Sequence, residues 1–180
     1  MESLRGSLLI SSGGLYDPNF RHTVVLVGAH NADGALGVIL NRPLDMTVAD
    51  AIPALGDYVG SDEALYEGGP VQPTGPVLVA ELDDPELADL RVFGNVGFLV
   101  GDLDDEILPH IRRARAYVGY SGWAPGQLEA EMIEGSWIVD PAHAEDVFTP
   151  APELLWSRVL QRKGPEYHRM SRMPFDPTMN

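Results

Sequence analysis

The 180-residue chain contains no cysteine. That absence excludes disulfides, thiolate metal ligands and thiol nucleophiles, and it suits a reducing compartment. Basic residues are scarce: 12 Lys and Arg stand against 27 Asp and Glu, for a formal net charge of −15. Such a surface repels phosphate backbones and anionic headgroups, so direct DNA binding is not expected. The few cations are unevenly placed. From Ser157 to Asn180 five basic side chains face two acidic ones, a net of +3 against −18 for the rest. Long apolar runs are missing too. The stretches at 24–29, 35–40 and 96–100 are strand-sized, too short to span a bilayer as helices. Met1–Gly6 has neither a basic start nor a long apolar segment, so no signal peptide is read there and a cytoplasmic location, with no membrane partner, is expected.

What is present is a succession of short apolar segments punctuated by glycine and proline. Ser7–Ser11, Thr23–Val27, Ala35–Leu40, Pro76–Leu82, Tyr117–Tyr120 and Ser136–Val139 read as strands, and Arg91–Val100 as one or two strands bent at Gly94 or Gly97. The first strand is closed by Gly13-Gly14, and Asp17-Pro18-Asn19 marks a turn. The short connection His30–Gly34 predicts a hairpin. A helix is expected from Thr47, capped with Asp50 and ended near Pro53. Further helices are expected over Asp104–Arg115, from Pro125, and over about 152–162 with Gly164 as the stop. Strands lead into strands as often as into helices, which gives an α+β class with a mixed sheet. The length favours one domain over residues 1–163, with 164–180 a loosely attached tail.

The most distinctive stretch is GYSGWAPGQLEAEM, residues 119–132. A nucleophile elbow needs small residues on both sides of its serine. Gly119, Ser121 and Gly122 satisfy this in part, but Trp123 stands where the last glycine belongs, and none of His22, His30, His110, His143 or His168 follows a triad order persuasively. A structural corner explains more: Trp123 as an anchor, Pro125 in the first helical turn, and Gln127 folding back onto the backbone of Ala124 as half a capping box. No catalytic residue is assigned. His30 with Asp33 is too small a set for a metal site, His143 with Glu145 and Asp146 marks a helix start, and Asp102–Glu106 lacks the calcium-loop pattern. No nucleotide or other cofactor fingerprint is present.

Several blocks occur together and in order: GSLLISSGGLYDPNFRHTVVLV (6–27), GALGVILNRP (34–43), GGPV (68–71), the corner at 119–132, and SWIV (136–139). On these the chain resembles the AlgH/YqgE family of bacterial proteins. The resemblance implies a single α+β domain with a mixed, bifurcated, partly barrel-like sheet surrounded by helices. It implies no established activity, although some members carry a transcriptional-regulator label. It also implies that alanine often replaces the serine at position 121, which argues against hydroxyl chemistry as a shared activity. A non-catalytic interaction or regulatory role with an unidentified protein partner is therefore expected; a serine hydrolase and a nucleic-acid-binding regulator are the alternatives. The candidate docking face is made of Asn41, Arg42 and Pro43; Gly68, Gly69, Pro70 and Val71; and Trp123, Gly126, Gln127 and Glu129, with Arg42 expected to pair with Glu129 or grip a partner's carboxylate.

Overall fold

The longest apolar runs are buried on both faces, which is what a strand sandwiched between two layers requires. Leu8, Leu9 and Ile10, then Val24 to Val27, then Val38, Ile39 and Leu40 are all fully buried. They belong to β1 (Ser7–Ser11), β2 (Val24–Asn31) and β3 (Gly34–Ile39), of which β2 and β3 form the expected hairpin. The computed structural model describes residues 1–12, 20–71 and 75–174. The turn signals read at 13–14 and 17–19, and the tail residues 175–180, lie outside the described residues.

The remaining strands are β4 (Pro43–Thr47), β5 (Ala64–Glu67), β6 (Val77–Leu82), β7 (Leu90–Phe93), β8 (Val96–Val100), β9 (Ile111–Val118), β10 (Ser121–Trp123) and β11 (Trp137–Pro141). Two sheets result. The first is antiparallel throughout, in the order β10-β3-β2-β1-β11. The second, in the order β4-β5-β9-β6-β8-β7, is mixed because β5 runs parallel to β9. The sheets face each other without closing into a barrel, so the architecture is a single α+β domain with a split sheet.

Alternation along each strand divides the core into three. Between the sheets, Leu8, Ile10, Leu26 and Val38 meet Val79, Phe98 and Tyr117. This layer is covered at one end by Trp156, Val159 and Leu160 of a helix over Leu155–Lys163. The outer face of the mixed sheet presents Leu65, Leu78, Ala80 and Ala116 to Val48, Leu55 and Tyr58. Those three come from α1 (Val48–Ala51), a 3-10 turn at Pro53–Leu55 and α2 (Gly56–Val59). Thr47 caps α1 by accepting the Asp50 N–H, and Pro53 follows its end, as expected. The outer face of the antiparallel sheet, with Leu9, Val25 and Ile39, is covered by Leu128 of α3 (Gln127–Ile133) together with Trp123 and Trp137.

One expected helix is not formed. Residues 105–110 make a 3-10 turn, and Ile111–Val118 is the strand β9 at the centre of the mixed sheet. Pro109 removes the donor a continuing helix needs, while Asp104 caps only a short turn by accepting the Glu106 N–H. The apolar residues that suggested a helical stripe, Ile107, Leu108, Ile111 and Ala114, do share one core, but they reach it from a turn and a strand.

Towards the C-terminus, α4 (Ala144–Val147) begins where His143 and the acids after it indicate, with the Asp146 carboxylate accepting the His143 N–H at 2.8 Å. The helix α5 (Leu155–Lys163) ends at Gly164. Beyond it, a 3-10 turn at Pro165–Tyr167 leads into α6 (His168–Ser171). Ser157 donates to the Ser171 carbonyl at 2.7 Å, and Tyr167 and Met170 pack on the inter-sheet core. This part of the expected tail is therefore docked.

Candidate functional site: the seam and cleft between the sheets

The two sheets are joined along one side by the glycine- and proline-rich blocks. The chain passes from β3 to β4 through Asn41-Arg42 and from β9 to β10 through Gly119-Tyr120. Gly68 lies between these crossings. Its carbonyl accepts the Ile39 N–H at 2.8 Å, and its own N–H reaches the Val118 carbonyl at 2.7 Å. Val71 and Tyr120 exchange two backbone hydrogen bonds at 2.9 and 3.0 Å. Ser121, fully buried, donates its hydroxyl to the Gly68 carbonyl at 3.2 Å. Its hydrogen-bond partner is thus a backbone carbonyl rather than a base, and the corner reading of residues 119–123 follows the geometry. Gly69 is packed so tightly that a Cβ would overlap the Tyr120 carbonyl and the Ser121 nitrogen, and Gly119 adopts φ +75° at the crossing.

The candidate docking residues separate into two places. Asn41, Arg42 and Pro43 lie beside Gly68, Gly69, Pro70 and Val71 at the seam, where Arg42 offers its carbonyl to the Glu67 N–H. Asn41 is a clamp: its Oδ1 accepts the Val24 N–H and its Nδ2 donates to the His22 carbonyl. Pro43, Pro70 and Val71 are exposed. Trp123, Gly126, Gln127 and Glu129 are carried over the outer face of the antiparallel sheet. There Gln127 Oε1 accepts the Ala124 N–H at 2.9 Å, the expected half capping box. Trp123 is buried, and its indole N–H shares Glu131 Oε1 with that of Trp137, at 3.1 and 2.8 Å.

Glu129 does not pair with Arg42. Residue 42 leaves along the seam, whereas α3 turns Glu129 towards His30, whose Nε2 lies 2.8 Å from the carboxylate. Nδ1 of the same ring accepts the Leu4 N–H at 3.0 Å. A ring that accepts at Nδ1 donates at Nε2, so the neutral tautomer is fixed and the N-terminal residues are held by it. The His30 hydrogen bond holds the Glu129 carboxyl below its usual range.

Sequence reasoning missed one concavity. Next to the seam, the sheets part into a cleft of about 700 Å³. Its walls are Leu36 and Val38 from β3 and Val77, Leu90, Phe98 and Val100 from the mixed sheet. Tyr120 lies on the seam side, and Asp89 and Asp102 supply carboxylates. No histidine, serine, lysine or arginine is among the described lining residues. The signal was hidden because each wall residue also satisfies an ordinary strand pattern.

Two buried polar groups lie deeper. The Arg115 guanidinium donates to the carbonyls of Val147 and Thr149 and stands over the Tyr66 ring. The Tyr117 hydroxyl is fully buried without a hydrogen-bond partner among the described residues, and burial pushes its ionisation far up. Among the described residues no cluster of His, Asp and Glu is grouped to hold a metal ion, and no helix is long and apolar enough to cross a membrane.

The profile of the AlgH-like family (DUF179) matches residues 8–168. A UPF0301 protein of Streptomyces avermitilis is 37% identical over 187 residues, covering 100% of this chain and 97% of its own. One of Chlorobaculum tepidum is 40% identical over 184 residues, covering 97% and 95%. The crystal structure of a Corynebacterium diphtheriae protein matches with a TM-score of 0.85 at 29% identity, over 95% of this chain and 93% of that one. The solution structure of AlgH from Pseudomonas aeruginosa matches with a TM-score of 0.70 at 25% identity, over 95% and 94%. With its split sheet, seam and cleft carried on that shared fold, the chain belongs to the AlgH-like, UPF0301 family.

Proposed function

We propose that the protein is a non-catalytic regulatory module of the cytoplasm that engages a protein partner through the cleft between its sheets. The observation that carries this reading is the make-up of the cleft, with apolar walls, two carboxylates and no histidine, serine, lysine or arginine among the described lining residues. The buried hydroxyl of Ser121, committed to the Gly68 carbonyl, weighs against the hydrolase alternative. The acidic excess weighs against duplex binding, which draws on clustered cations. Any effect on transcription would then pass through the bound protein.

The test is photocrosslinking in cells with a photoreactive side chain at Val100, which lines the cleft and is 50% exposed. The control position is Ile133, 86% exposed on α3 and away from the cleft. A discrete protein adduct at position 100 that is absent from position 133 is the expected result. Identical adduct patterns at both positions, or none at position 100, would refute the reading.

A further inference from the structure

We infer that the occupant of the cleft is an extended polypeptide segment in which apolar side chains alternate with lysine or arginine; this rests on the binding role proposed above. Three observations select that chemistry. First, the cleft walls are aliphatic and aromatic, and half of Val100 remains open to solvent at their margin, so apolar side chains gain by burial there. Second, the carboxylates at the cleft carry one sign of charge only. Asp102 is exposed and has no hydrogen bond or ion pair among the described residues. Asp89 holds the Val100 N–H at 2.8 Å through Oδ2, its one side-chain bond among the described residues. An arriving cation meets two carboxylates that no cation of the described chain neutralises, on a protein of net charge −15.

Third, the apolar surface continues beyond the cleft. Tyr120 is bonded to Val71 in both directions, Val71 is 36% exposed, and both side chains lie against the exposed backbone of Gly122. A strip running from Val100 across the cleft to Tyr120 and Val71 suits a linear chain. A compact ligand would fill the cleft and leave the seam end of the strip bare.

The test is titration of the ¹⁵N-labelled full chain with a short peptide of alternating leucine and lysine, its leucine–glutamate counterpart, and phenethylamine as a small apolar cation. The lysine peptide is expected to shift the amides of Leu36, Phe98, Val100 and Gly101, to shift Val71 as well, and to leave Ile133 unmoved. Its affinity should fall about fivefold in the Asp89→Asn/Asp102→Asn double variant and fall further with added salt. Asparagine at position 89 keeps an acceptor for the Val100 N–H, and the dispersion of the variant's amide spectrum checks that it is folded.

Equal binding of the lysine and glutamate peptides at these amides would overturn the charge assignment while leaving the cleft a binding site. Shifts with phenethylamine alone, sparing Val71, would overturn the polypeptide assignment. No shift with any of the three would overturn the inference as a whole, whereas the binding role itself stands or falls on the crosslinking result at position 100.

Discussion

Replacing Gly69 with alanine tests whether the family blocks exist for the seam. A Cβ at residue 69 would lie well inside the 3.0 Å that such atoms keep from other heavy atoms, and what it meets is the backbone of Tyr120 and Ser121, which cannot rotate away. The Tyr120–Ser121 peptide must therefore move. That displacement disturbs three hydrogen bonds: the pair between Val71 and Tyr120, and the bond from the Ser121 hydroxyl to the Gly68 carbonyl. At a net contribution of about 1 kcal/mol each, Gly69→Ala should destabilise the protein by roughly 3 kcal/mol. That is a large share of the ~5–15 kcal/mol that holds a domain folded. Urea unfolding monitored by tryptophan fluorescence supplies the measurement. Gly75→Ala, where nothing among the described residues lies within 4 Å of the added methyl, is the control and should be close to neutral. A Gly69→Ala midpoint within ~0.5 kcal/mol of the parent would refute the claim that close backbone approach is why this glycine is needed.

Removing the partnerless hydroxyl in Tyr117→Phe should stabilise the protein by about 1 kcal/mol in the same assay, because an unsatisfied buried donor carries a desolvation penalty. A loss of stability would reveal a bound partner for that oxygen. Glu131→Ala releases both indole N–H groups and should cost about 2 kcal/mol, with a red shift of tryptophan emission as its signature. For Glu129 the folded-state pKa is lowered, so its contribution is present above the ordinary carboxylate range and is lost as pH falls through the folded value. The stability difference between the parent and Glu129→Gln should therefore shrink on acidification below about pH 4.5. A difference that is constant from pH 7 to pH 3 would contradict the His30–Glu129 assignment. A ¹⁵N spectrum of His30 should also show the Nε2-protonated tautomer at neutral pH.

The sequence made local structure legible wherever residue type and backbone need coincide. The β2–β3 hairpin, the Thr47 cap and the Gln127 contact to Ala124 each depend on residues within a few positions of one another. The failure at 104–115 has the same root. Over that span a helical stripe and a turn followed by a strand place the same apolar residues in the core, and Pro109 was the discriminating signal. The candidate site was less legible because its parts are assembled at long range. Val38, Val77 and Phe98 become a cleft only when two sheets diverge, and the partner of Glu129 lies 99 residues away. No spacing rule connects such residues. The glycines and prolines did mark the right places, but what they mark is the joint, and the open space lies beside it.

The pairing of β1 with β11 has a consequence for how the chain is made. Ser7 sits opposite Pro141 and Ser11 opposite Trp137, and the Trp156 indole donates to the Ser11 carbonyl across 145 residues. A nascent chain emerging from the ribosome exposes its first strands long before their neighbours are synthesised. Such late, distant closure slows folding, and the edge of β1 that β11 pairs stays open until the last third of the polypeptide arrives.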